Sequence, residues 1–257
     1  MSELKSSLKQ IVPRPMVAIY RRLRLLRLRK ANRDRLVADV FADIYKNGEW
    51  GGQFGQFCSG SGSNEYHASR YADVIRAVIR DKKIRSVVDL GCGDFTVGAK
   101  LQMEGVRYTG VDIVCDLIRL NQEKFGSANV SFQCADIITE DLPAGDLCLI
   151  RQVLQHLSNA EILSILKNVR KYEYVIITEH YPAPFVRYLP NLDKPHGPDT
   201  RIYDNSAVYL DQPPFNVSNL ATIFEDDAQS CLVNPGEKIR SFLITQVDGD
   251  GAGSSEG

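Results

Sequence analysis

No stretch of the 257 residues supplies the roughly 20 consecutive apolar residues that a membrane-crossing helix needs. The start does not resemble a secretory signal either, because arginines interrupt every apolar core it offers. The six cysteines, at 58, 92, 115, 134, 148 and 231, include no Cys-x-x-Cys pair. His, Asp and Cys also show no compact ligand spacing, so structural zinc is excluded and no metal is expected. Four of those cysteines sit in or beside apolar runs, where thiols are usually buried; reduced cysteines and a cytoplasmic setting are the expectation. Tryptophan occurs once, at Trp50, and histidine four times, which keeps the set of candidate bases small.

The net charge of −1 conceals an asymmetry. Residues 1–35 carry eleven Lys or Arg against Glu3 and Asp34, a balance of +9, which leaves −10 for the rest of a chain whose total is −1. Most of the positive charge lies in Tyr20-Arg21-Arg22-Leu23-Arg24-Leu25-Leu26-Arg27-Leu28-Arg29-Lys30. Such a segment suits attachment to an anionic membrane surface with its leucines down, or a helix packed on the body of the protein, or a solvated arm.

The most informative run is Ser86-Val87-Val88-Asp89-Leu90-Gly91-Cys92-Gly93-Asp94-Phe95. An apolar stretch fit for a buried strand leads into a glycine turn where the backbone can approach a ligand closely. A dinucleotide fingerprint needs a third Gly or Ala where Thr96 stands, and Asp89 and Asp94 would repel a pyrophosphate. A cationic, phosphate-free cofactor suits these acids better: S-adenosylmethionine carries an ammonium beside a sulfonium. Nineteen residues past Gly93, Asp112 ends a second apolar run at the position where an acid accepts from ribose hydroxyls. Asp136 ends a third, placed to meet the adenine amino group, with Ile137 beside it also assigned to the cofactor.

These residues resemble a class I S-adenosylmethionine-dependent methyltransferase, with Asp89-Leu90-Gly91-Cys92-Gly93 as motif I. They are similar, further, to a bacterial subgroup whose motif I reads Cys-Gly-Asp-Phe, here residues 92–95. Trp50-Gly51-Gly52, Ser59-Gly60-Ser61-Gly62-Ser63, Asp112-Ile113-Val114, the segment from Asp146-Leu147 to His156-Leu157-Ser158, and Pro213-Pro214-Phe215-Asn216 carry the same likeness. It spans roughly residues 40 to 246 and departs at Thr96-Val97, where the subgroup often has Asn-Trp. The resemblance implies a Rossmann-like α/β fold of seven strands, mostly parallel, with an antiparallel edge hairpin.

Pattern alone predicts helices around 34–46 and 65–81, strand 86–90, a helix near 95–104, strand 107–112, helix 115–125, strands 130–134 and 145–150, helix 158–170 and strand 173–178. Alternation of this kind implies a parallel sheet with its ligand crevice at the strand carboxyl ends. The runs 221–225 and 240–247 read as the edge hairpin. The domain reading is a basic arm (1–33), a methyltransferase domain (34–247) with a helical cap (34–85) and a substrate-side insertion (182–219), and a disordered Gly/Ser-rich tail (248–257).

Transfer of a methyl group needs the acceptor placed in line and, for a hydroxyl, a base. Arg151, just past the fourth strand, is a candidate for holding the cofactor. His156 and His180 are the candidate catalytic residues, with Glu179 as a neighbour able to serve in place of His180. The insertion, with seven prolines and many polar and aromatic residues, reads as an acceptor lid, and Trp50 to Ser63 as either a cover over the cofactor or a linker. The reading is O-methylation of a small molecule or glycan precursor by a cytoplasmic enzyme, seated at the inner membrane face through residues 14–35. A catalytically silent cofactor-binding protein is the first alternative. A nucleic-acid methyltransferase is the second, disfavoured because the body is acidic and no Asn-Pro-Pro-Tyr type motif is present.

Overall fold

A computed structural model describes residues 14–51, 57–60, 62, 65–101, 103–227 and 235–246, with side chains of the first helix described from Arg22 on. Three helices precede the first strand: α1 (Arg14–Asn32), α2 (Val37–Lys46) and α3 (Glu65–Asp81). There follow β1 (Ser86–Leu90), β2 (Arg107–Asp112), α4 (Cys115–Phe125), β3 (Val130–Cys134), β4 (Leu147–Arg151), α5 (Asn159–Asn168), β5 (Tyr174–Tyr181), β6 (Leu220–Asp227) and β7 (Lys238–Thr245).

The strands form one sheet in the order β3-β2-β1-β4-β5-β7-β6. Strands β1 to β5 pair in parallel, while β7 runs antiparallel between β5 and β6. This is the expected seven-stranded α/β architecture with its edge hairpin. The order reverses between β1 and β4, and a crevice opens outside the carboxyl ends of strands at such a switch point.

The period-2 alternation of β1 sends successive side chains to opposite layers. Val88 and Leu90 join Ile150, Val175 and Ile177 against Ile162 and Ile165 of α5. Val87 packs with Leu147, Leu149 and Ile176 against Tyr71, Ile75 and Ile79 of α3, which recur at helical spacing. Every residue of β1 is buried, so apolar Val87 and Val88 face opposite layers and the strand shows no alternation of apolar and polar residues.

Three expectations need correction. The helix near 95–104 is only a 3-10 turn, Gly98–Leu101. Phe95 has a left-handed φ of 64°, and a Cβ at Gly98 would meet the Tyr108 hydroxyl at 2.4 Å, so the close packing of this turn on β2 displaces regular helix. Strand β5 runs on to Tyr181, which places Glu179 and His180 inside the strand, because β7 pairs with it along its whole length. Finally, the cysteines are not all reduced: Cys115 and Cys134 form a disulfide. In the β2–β3 ladder Cys134 is in register with Asp112, and α4 begins three residues beyond that acid, so the two Cα atoms stand 5.0 Å apart despite nineteen residues of separation. Cys58, Cys92 and Cys148 carry free thiols. The tail 248–257 lies outside the described residues. Among those described, no helix is long and apolar enough to cross a membrane.

Candidate active site

A cleft at the carboxyl ends of β1, β2 and β4 is lined by Asp89, Gly91, Gly93, Asp112, Asp136, Ile137, Arg151 and His156. The tertiary structure thus brings together every residue that sequence reasoning assigned to the cofactor, and one of the two histidines. Gly91 and Gly93 both take positive φ, 76° and 56°, and the N–H groups of Gly91 and Cys92 donate to the Val111 carbonyl at 2.7 and 3.1 Å. This folds the turn back onto β2. Asp112 locks it: its Oδ2 accepts from Gly93 N at 3.1 Å and its Oδ1 from Val114 N at 3.0 Å. A Cβ at Gly91 would stand 2.4 Å from Val153 Cγ2 on a backbone that L residues rarely adopt. Gly91→Ala is therefore expected to cost about 1–3 kcal/mol, read as a lower denaturation midpoint.

The charges of the cleft are set by burial. Desolvation lifts the Asp89 carboxyl to about 6, against the Tyr108 hydroxyl that donates to it at 2.6 Å and against nearby Arg151. Asp112 is also raised by burial, partly offset by the backbone N–H groups of Val114, Gly93 and Ile113. Arg151 lies over the Tyr71 ring at 5.1 Å and donates to the Gly62 carbonyl at 2.7 Å. Asp136 is held by its own turn, accepting from Ile138 N and the Thr139 hydroxyl. Asp94 is not in the cleft wall. Its Oδ2 accepts from Ser59 N at 2.9 Å, and its own N–H donates to Ser59 Oγ at 2.8 Å. The described part of the Gly/Ser stretch is thereby clasped to the glycine turn. Trp50 shares in this cover, packing on His156 at 4.9 Å and donating from Nε1 to the Pro198 carbonyl.

Residues 87–172 match a methyltransferase domain. The match runs from β1 to the residue two before β5, so it contains the glycine turn and all three acids of the cleft. Three uncharacterized methyltransferases, one from Mycobacterium bovis and two from strains of Mycobacterium tuberculosis, are each 30% identical over 96 residues, 37% of this chain and 49% of theirs. The chain spans about half the length of the curated relatives it matches. Among solved structures, the N-methyltransferase NodS from Bradyrhizobium japonicum, in complex with S-adenosyl-L-homocysteine, is similar at TM-score 0.50 and 15% identity, over 70% of this chain and 88% of that one. At that identity the likeness is one of fold.

A second chamber adjoins this cleft. Trp50, Ser59, Gln152 and His156 wall both, while His180, Glu49, Asp199 and Tyr203 wall the chamber alone. His156 sits in the turn Leu154–His156, and its Nδ1 donates to the Gly197 carbonyl at 3.2 Å. Burial, reinforced by Lys194, pulls it down to about 4, so the ring is neutral. That turn is capped by Glu179, whose Oε1 accepts from Leu154 N at 2.9 Å and Oε2 from Gln155 N at 3.2 Å. Burial raises the Glu179 carboxyl to about 8. Neighbours on a strand point to opposite faces, so Glu179 supports the turn while His180 faces the chamber.

Sequence reasoning missed Glu237. The β5–β7 ladder pairs His180 with Ile239, two residues on, which sets Glu237 diagonally across from the imidazole. Its Oε2 stands 3.0 Å from His180 Nε2, with both side chains buried. No spacing signal could have found it, since the two are 57 positions apart and meet only through an antiparallel register. The insertion 182–219 is largely irregular yet pinned. Arg201, 1% exposed, donates to the carbonyls of Leu192 and Leu157 at 2.6 and 2.7 Å.

Proposed function

We propose that this chain is an S-adenosylmethionine-dependent methyltransferase that methylates a hydroxyl of a polar small molecule or glycan precursor. The observation that carries the reading is the convergence of Asp89, Asp112 and Asp136 with the glycine turn on one cleft that opens, past His156, into a polar chamber. The donor set fits the cofactor. A buried acid beside an arginine answers a zwitterionic amino-acid end, and among the described residues the cleft wall holds no lysine that would mark a phosphate site. Asp89 would hold the ammonium, Arg151 the carboxylate, Asp112 the ribose hydroxyls and Asp136 with Ile137 the adenine. When bound, the cofactor supplies an electrophilic methyl group on a sulfonium.

The chain's own groups then act on the acceptor. Trp50 and Tyr203 offer ring faces, and Glu49, Asp199 and Gln155 offer acceptors and donors, a lining suited to a hydroxylated substrate. His156, neutral and with Nδ1 engaged, orients the acceptor at the junction of the two spaces. His180 would take the proton that the acceptor hydroxyl gives up on methylation. Glu237 stabilises the imidazolium that results. In isothermal titration, S-adenosylmethionine is expected to bind and Asp112→Ala to weaken it severalfold. Unchanged affinity would contradict the assignment, and binding without turnover on any supplied acceptor would favour a catalytically silent protein.

A further inference from the structure

Helix α1 has two faces with different partners. On the inner face Arg29 donates from Nε and Nη2 to Asp199 at 3.0 and 2.7 Å and reaches Asp204 as well, while Asn32 is buried. Leu25 and Leu28 lie on the same side and, with Arg24, form one wall of the chamber. The basic segment is therefore a docked part of the body and not a solvated arm. The opposite face carries Leu23, Leu26, Arg27 and Lys30, at i, i+3, i+4 and i+7. Leu23 and Leu26 are 52% and 54% exposed, and Arg27 and Lys30 are exposed and without an ion-pair partner among the described residues.

We infer that this outer face seats the protein on an anionic lipid bilayer, so that the chamber opens beside the membrane and its substrate is an amphiphile whose polar head enters while the tail stays in lipid. The substrate clause rests on the methyltransferase reading above; the seating does not. Charge complementarity selects the occupant. Helix α1 carries seven Lys or Arg and no acid, and residues 36–257 balance at −10, so an anionic surface attracts α1 and repels the rest, which orients the molecule. A second copy would set two such basic faces together against their mutual repulsion. A nucleic-acid backbone would meet the cations but leave the central leucines without an apolar partner, whereas the headgroup boundary accepts both.

The test is co-sedimentation of the full chain, without cofactor, with vesicles of phosphatidylcholine alone or mixed with phosphatidylglycerol. Binding to the mixed vesicles only, weakened by salt, is expected. Arg27→Gln with Lys30→Gln should lower the partition coefficient about thirtyfold, as two near-surface basic residues do. Leu23→Gln with Leu26→Gln should lower it about tenfold. Both double variants alter exposed side chains and should keep the donor affinity of the parent. The inference is overturned if anionic vesicles do not bind, if neutral vesicles bind equally, or if both variants bind as the parent does. It is overturned too if the leucine variant instead dissolves a dimer, or if duplex DNA binds and vesicles do not. Donor binding by calorimetry is measured separately, so loss of the seating and loss of the methyltransferase reading are told apart.

Discussion

Replacing His180 with Gln is expected to lower kcat by two to four orders of magnitude, the usual contribution of a positioned base, while leaving donor affinity and the unfolding midpoint near those of the parent. His180 lines the chamber and has the Glu237 carboxylate 3.0 Å from Nε2, so the charge it gains on taking a proton is met at once by a buried anion. His156 lacks that support. Burial holds it down at about 4, its Nδ1 is committed to the Gly197 carbonyl, and Lys194 adds a repulsive positive charge. A base so weak gains little proton-transfer driving force at neutral pH. His156→Asn should therefore raise KM more than it lowers kcat, and Glu237→Gln should reproduce part of the His180 loss. Initial rates of S-adenosylhomocysteine formation, with calorimetric donor affinity alongside, make the comparison. Full kcat in the His180 variant would remove it from the mechanism.

Lowering the pH from 7 to 5 is expected to weaken S-adenosylmethionine binding about tenfold, because Asp89 titrates near the middle of that range. The sign follows from the charges. Burial has raised this acid above its ordinary value, so at pH 5 it is mostly protonated, and an ammonium ligand must displace the proton before pairing with the carboxylate. Asp89→Asn should bind weakly at both pH values with little slope between them. A dinucleotide would behave in the opposite way, since protonating Asp89 relieves its repulsion of a pyrophosphate. Titrations at pH 5, 6 and 7 in buffers of different ionisation heat would show proton release for the sulfonium donor. Affinity that rises toward pH 5, or binding of NAD in its place, would sink the cofactor assignment.

The parts of this molecule legible from residues alone are those where local chemistry and tertiary position agree. Val87, Val88 and Leu90 are buried in a strand flanked by two others, so apolar content and strand coincide. Gly91 and Gly93 need positive φ, and the demand is written in the residue type. Asp112 and Asp136 end their runs because the carboxyl ends of parallel strands are where polar groups first meet solvent and ligand. Beside these, Thr96-Val97-Gly98 looked like the start of a helix after the turn, and only the packing of Phe95 and Gly98 on Tyr108 shows why the chain tightens into a 3-10 turn instead. Nor does any local pattern show that the Asp94 carboxylate is engaged by Ser59, a residue thirty-five positions earlier.

Sequence by itself determined the strand–helix alternation of a mostly parallel sheet and the acid-lined turn, because periodicity and glycine chemistry act over a few residues and survive any arrangement of the remainder. Tertiary structure alone decided the rest: Glu237 beside His180, Cys115 bonded to Cys134, Glu179 turned away to cap the His156 turn, and α1 locked by Arg29 against Asp199. Each depends on strand register or on docking between distant segments. A shift of one residue in the β5–β7 ladder would send the His180 side chain to the other face of β7, and no local pattern encodes that register.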